Sequence, residues 1–267
     1  MLIAALLAGV GLASGASAQA SSLPTLTLTI TKSSITVGGT TQAGGVNVVA
    51  TGVKEERAVL FLLKPGVTFG EVETAVKRAG GHDFDATDKY GSIVFDTEVY
   101  GRSGKSIERQ VYLQPGQYVA LVERNRANRH TMFTVTAAAS PVALPAPQAT
   151  IRLIDFGFRG PTTLRDGEIV RFENEGHLVH MDAALPVKSE KAATQVVKDL
   201  LAGKEKAWEK LVSGEAVSFA GPLSHESFMQ ETITAKPGWY VQACVMETED
   251  GRDHTRLGME RMIKIVK

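Results

Sequence analysis

The chain carries one cysteine in 267 residues, which excludes an intrachain disulfide. Neither charge sign is in excess: 29 Lys and Arg face 29 Asp and Glu, and the formal net charge is zero. A nucleic-acid binder normally carries a basic excess, as does a polybasic membrane-surface module, so neither partner is expected. Aromatic residues are few, at 6%. The apolar N-terminal run Leu2–Leu12 falls short of the roughly 20 residues a membrane span needs. No membrane span is therefore expected in the mature chain. Gly-x-Ser-x-Gly, His-Glu-x-x-His and a Gly-rich phosphate loop are all missing, which removes the commonest signatures of hydrolases and nucleotide-binding enzymes. What is present is ordinary globular composition, 43% hydrophobic and 22% charged, too apolar for extended disorder.

Residues 1–18 read as a signal peptide. They carry no charge, and Ala16-Ser17-Ala18 fits a small-x-small cleavage site. Gly9, Gly11 and Gly15 would weaken a buried helix there. The mature chain is expected to begin near Gln19 and to be periplasmic or secreted. A lone thiol in an oxidising compartment is a liability unless it is buried or bound to something.

The body reads as a tandem repeat. Gly45-Val46-Asn47-Val48 resembles Gly167-Glu168-Ile169-Val170, and Gln114-Pro115-Gly116-Gln117-Tyr118-Val119 resembles Lys236-Pro237-Gly238-Trp239-Tyr240-Val241, both at an offset of 122 residues. Leu63 meets Leu185 and Gly81 meets Gly203 at the same offset. The expected units are residues 22–137 and 148–267, joined by a Pro/Ala linker at 138–147 whose three prolines make it stiff. Strands are expected at Thr25–Ile30, Ala58–Leu63, 92–100, 108–113, 117–123 and 131–136. In the second unit they are expected at Ile151–Phe158, Glu168–Phe172, Val179–Leu185, 228–234, 239–246 and 260–266. One helical excursion interrupts each unit, about 68–79 and about 189–212, the second broken near Gly203. Many short strands with Gly/Pro turns predict a mainly all-β protein of two tandem β-sandwiches, each with a helical insertion.

The chemistry concentrates in the second unit. His180 lies on an early strand, Cys244 at the end of a late one, His254 ten positions on, and Met259 five beyond that. One thiolate, two imidazoles and a thioether form a soft, mixed donor set. A His2Cys plane with a weak axial Met is the type 1 copper arrangement and suits one-electron transfer. Zinc more often takes further Cys, His or carboxylate ligands and no Met. Cys244 with His254 could also be a nucleophile and base, but the flanking Met and the repeat fit a metal better, and the chain is read as no enzyme. His177 is expected to be exposed and to be a substitute ligand at most. Met181, Met246 and Met262 leave open a Cu(I) carrier. The run Glu247-Thr248-Glu249-Asp250 reads as a solvated turn, and Ser224-His225 as a loop without a partner.

The stretch Gly238–Cys244, then Asp250-Gly251-Arg252-Asp253-His254, then Leu257-Gly258-Met259, resembles the ligand cluster of the cupredoxins, Greek-key sandwiches of the plastocyanin and azurin kind. His-x4-Met is similar to the plastocyanin pattern, while the Cys-to-His gap is longer. The chain looks more like an uncharacterised group of exported bacterial cupredoxin-like proteins. That resemblance implies one copper ion held by His180, Cys244, His254 and Met259, with electron transfer to a redox partner protein that the sequence does not name. It covers about 150–267. In the first unit Ala58 stands at the His180 position and Val122 at the Cys244 position, so no copper is expected there, and His130 reads as an ordinary surface residue. The rival reading is a metal-free tandem sandwich used for adhesion or protein binding.

Overall fold

The computed structural model describes residues 22–78, 84–99, 106, 108–123 and 129–267. The leader at 1–18, Gly81 and positions 124–128 of the first unit's closing loop lie outside the described residues.

Alternation drives the strands. In β1 (Thr25–Ile30), Leu26, Leu28 and Ile30 point inward while the threonines face outward or sideways. There follow β2 (Ile35–Gly39), β3 (Gly44–Gly52), β4 (Arg57–Leu63), α1 (Phe69–Arg78), β5 (Gly91–Glu98), β6 (Arg109–Leu113), β7 (Gly116–Val122) and β8 (His130–Val135). The second half holds β9 (Ala149–Ile154), β10 (Gly157–Arg159), β11 (Thr163–Arg165), β12 (Ile169–Asn174), β13 (His180–Val187), α2 (Glu190–Leu201), α3 (Glu205–Trp208), β14 (Val217–Leu223), β15 (Phe228–Thr232), β16 (Gly238–Ala243) and β17 (Glu260–Val266).

Three sheets form two sandwiches. One eight-stranded sheet, in the order β10-β9-β12-β15-β6-β3-β1-β2, runs through both halves. Facing it are the sheets β11-β17-β16-β13-β14 and β5-β4-β7-β8. The order β15-β12-β9-β10 in one half answers β6-β3-β1-β2 in the other, and each half has a parallel pair, β1 with β3 and β9 with β12. The fold class is therefore as expected: mainly all-β, two sandwiches, each with a helical insertion. A single Cα pair, Gln230 with Gln110, joins the halves within the long sheet. Arg109 does more of the joining. Wholly buried, its guanidinium donates to Glu231 Oε2 at 3.0 Å, to the Asp96 carbonyl at 2.7 Å and to the Ser218 carbonyl at 2.6 Å.

Several expectations need correction. The strand expected over Ile151–Phe158 is a hairpin, β9 and β10, reversed at Asp155-Phe156, with Ile154 paired to Gly157. Ile151, Leu153, Ile154, Phe156 and Phe158 make the segment apolar throughout, and neither loop residue is glycine, so the turn's signal is hidden. Strands β2, β3, β11 and β14 were not among the expected strands. The expected 189–212 helix is α2, α3 and a 3-10 turn over Glu209–Leu211, with Gly203 (φ 63°) at the break. Ser189 caps α2 by accepting from Ala192 N at 3.2 Å. Val196 and Leu200 then pack on Leu185, Val187 and Val241 of the sheet beneath. The Pro/Ala linker is bonded to both halves. Gly45 N donates to the Val142 carbonyl at 2.7 Å, and Gln230 Nε2 to the Pro145 carbonyl at 3.1 Å. His130 is half-buried against Phe69, with ring centroids 4.4 Å apart. Ser224 does have a partner: its hydroxyl donates to Asp88 of the first half at 2.7 Å.

Candidate metal centre

The loop before His180 is built by Asn174. Its side-chain oxygen accepts from Gly176 N at 2.9 Å, and its amide donates to the carbonyls of Leu178 and Leu223 at 2.7 and 2.8 Å. Asp85 of the first half accepts from Val179 N at 2.5 Å, so both halves hold the residue that precedes His180. Cys244 follows β16 directly, and its N–H donates to the Met259 carbonyl at 3.1 Å. The chain returns through a 3-10 turn, His254–Leu257, ended by Gly258 in the left-handed region (φ 104°). That reversal lets Met259 N donate to the His254 carbonyl at 3.0 Å. Backbone bonds thus tie Cys244, His254 and Met259 into one knot.

Among the described residues, His180, Cys244 and His254 bring their ligand atoms within 4.8 Å of one another, and all three are fully buried. The edges of the donor triangle are 3.2 Å between the two Nδ1 atoms, 3.4 Å from Cys244 Sγ to His254 Nδ1, and 3.9 Å from Sγ to His180 Nδ1. A point equidistant from the corners of such a triangle lies about 2 Å from each, the length of a metal–imidazole bond and slightly under a metal–thiolate one. Met181 N donates to Cys244 Sγ at 3.4 Å. Met259 is fully buried beside them.

Electrostatics prepare the triangle for a cation. Burial pushes the Cys244 thiol up to about 12, so the metal-free sulfur keeps its proton. Burial likewise pushes the His254 imidazole down to about 4, and lowers that of His180 against the opposing pull of Asp155. Both rings are neutral at ordinary pH, with ring nitrogens free to donate lone pairs. A cation that displaces the thiol proton meets two neutral imidazoles and a thiolate, the mixed N/S set of a copper or zinc site.

Two neighbours were not legible in the sequence. Asp155 Oδ1 lies 3.0 Å from His180 Nε2. Phe156, strained at φ 61°, sets its ring in a T-shaped contact with His254, with centroids 5.4 Å apart. Both come from the β9–β10 turn, 25 and 24 residues before His180, and no spacing motif marks them. His177 is not part of the triangle; its ring sits 5.3 Å from that of His225, which bonds the Gly176 carbonyl at 2.7 Å. The Glu247–Asp250 run is an exposed turn in which Asp250 pairs with Arg252 at 2.8 Å. In the first half Ala58 and Val122 are buried apolar partners across β4 and β7.

No family model and no curated protein matches the chain. Solved structures do. Auracyanin B is 16% identical, over 46% of this chain and 93% of its own, with a TM-score of 0.27. Auracyanin A, a "blue" copper protein from Chloroflexus aurantiacus, is 19% identical over 44% and 96%, with a TM-score of 0.26. The copper-containing nitrite reductase of Thermus scotoductus SA-01 is 12% identical over 91% and 67%, also at 0.26. The fold assignment rests on the sheets themselves rather than on these scores.

Proposed function

We propose that the protein is an exported mononuclear copper protein that carries single electrons through its C-terminal sandwich, with no catalytic reaction of its own. The observation that carries this reading is the buried His180–Cys244–His254 triangle, whose donors match the chemistry of a type 1 site and whose edges fit bond lengths of about 2 Å. His180, Cys244 and His254 would hold the ion, with Met259 offering a thioether; copper would supply the one-electron Cu(I)/Cu(II) couple. The chain supplies rigidity. Cys244 and Met259 are bonded backbone to backbone, and His180 heads a strand paired on both sides. Three fully buried donors also exclude water. They suit an electron carrier better than a Cu(I) carrier, which must hand its ion to another protein by ligand exchange at an exposed site. Export belongs to the same proposal and rests on the 1–18 segment. No helix among the described residues is long and apolar enough to cross a membrane.

Titration of the purified protein with Cu(II) tests this reading. Intense visible absorption from thiolate-to-copper charge transfer is expected at one equivalent. Cys244→Ser abolishes it, and His177→Ala leaves it in place. Uptake of Cu(I) without colour would favour the carrier. A folded protein that takes up no copper would leave the adhesion or protein-binding module.

A further inference from the structure

The β9–β10 turn reaches over the donor triangle and places a carboxylate against one of its imidazoles. Asp155 Oδ1 takes three contacts: it accepts from His177 N at 2.8 Å and from Leu178 N at 3.1 Å, and it lies 3.0 Å from His180 Nε2. A neutral imidazole carries one proton, and a carboxylate can only accept. His180 therefore carries its proton on Nε2, and Nδ1 turns a lone pair toward Cys244 and His254. Gly176 closes the backbone over the contact: a Cβ there would lie 2.5 Å from Asp155 Oδ1 and 2.7 Å from His180 Nε2.

We propose that Asp155 is a positioning residue that locks His180 as its Nε2–H tautomer and holds a negative charge one imidazole away from the metal, favouring the oxidised ion. The charge half of this proposal rests on the copper reading; the tautomer half holds for the metal-free chain. The Asp155 side chain is a third exposed, so solvent screens part of its charge and the remainder reaches the site through the His180 ring it touches; outer carboxylates of this kind orient ligand histidines in metal sites generally.

The two halves separate experimentally. All three bonds end on Oδ1, so Asp155→Asn keeps them through its amide oxygen and removes only the charge; Asp155→Ala removes both. In the metal-free protein, 15N NMR of the histidine rings should show His180 protonated on Nε2 in wild type and D155N, and a mixture of tautomers in D155A. With copper bound, D155N should keep the wild-type absorption and shift the Cu(II)/Cu(I) equilibrium about tenfold toward Cu(I), which is 59 mV for one electron. A purely structural Asp155 would leave the D155N potential unmoved, and that result overturns the charge assignment. Wild-type His180 protonated on Nδ1 overturns the tautomer assignment. Should D155A fail to fold, the wild-type tautomer and the D155N potential still decide. If wild type binds no copper yet shows the Nε2–H tautomer, the copper reading fails and the tautomer assignment stands.

Discussion

Gly176 occupies a place where a single methyl group would strike the Asp155–His180 contact from the backbone side. Its neighbours cannot yield cheaply. Asp155 is held by three bonds to one oxygen, and the His180 ring is walled in on all sides. Gly176→Ala should therefore leave both sandwiches folded, as judged by far-UV circular dichroism, and weaken copper binding by about tenfold to a hundredfold, the range seen when an outer-shell partner of a metal ligand is lost. A competition titration against a chelator of known affinity measures it. Wild-type affinity in G176A would mean that the ring position is set by the strand alone.

At the scale of elements, α2 is a cover on the outer face of the metal-bearing sheet rather than part of the centre. Ser189→Ala removes its N-terminal cap and should cost about 1 kcal/mol of stability by urea unfolding, with the copper absorption unchanged. A spectral change would show that the helix strains the strand beneath it. The elements also show what could be read without coordinates. Strands β1, β7, β16 and β17 and helix α1 stand where the sequence pattern put them: β1, β17 and α1 each have one buried and one wetter face, while β7 and β16 are buried apolar runs that follow Pro-Gly turns. The triangle was legible for a related reason: Cys244 and His254 sit close in sequence around one loop, and His180 heads an apolar strand. Asp155 and Phe156 were not. Ile151, Leu153, Ile154, Phe156 and Phe158 give one apolar stretch with no clear break, and the reversal within it depends on a phenylalanine in a left-handed conformation that such a residue seldom adopts. β14 was missed for a similar reason, since its Gly and Pro disfavour a strand and its partners lie in distant segments.

The whole molecule is joined across its middle by the buried contact of Arg109 with Glu231. Glu231, paired with Arg109, is wholly enclosed, and burial pushes its carboxyl up to about 7 even though Arg109 pulls it down. The folded protein therefore keeps a proton that the unfolded chain releases above its ordinary value of 4.5. The resulting stabilisation is complete below that value and is lost as pH rises through about 7. Glu231→Gln retains an acceptor for Arg109 and cannot ionise. Denaturant unfolding of E231Q between pH 4 and 8 should give a flatter profile than wild type, with the two curves closest at the acid end. Parallel profiles would assign the pH dependence to other groups.

Complete enclosure of His180, Cys244 and His254 also governs how fast the centre could be emptied. A competing chelator cannot touch those atoms while the loops are shut, so it must wait for a spontaneous breathing motion of the chain. Stripping kinetics of the loaded protein should then level off as chelator is added, at a ceiling equal to the opening rate. A rate that climbs in proportion to chelator without limit would mean that the donors are reached directly from solvent. The same seclusion gives a thiol that alkylating reagents find only at that slow tempo, a practical shelter for a single cysteine in an oxidising surrounding.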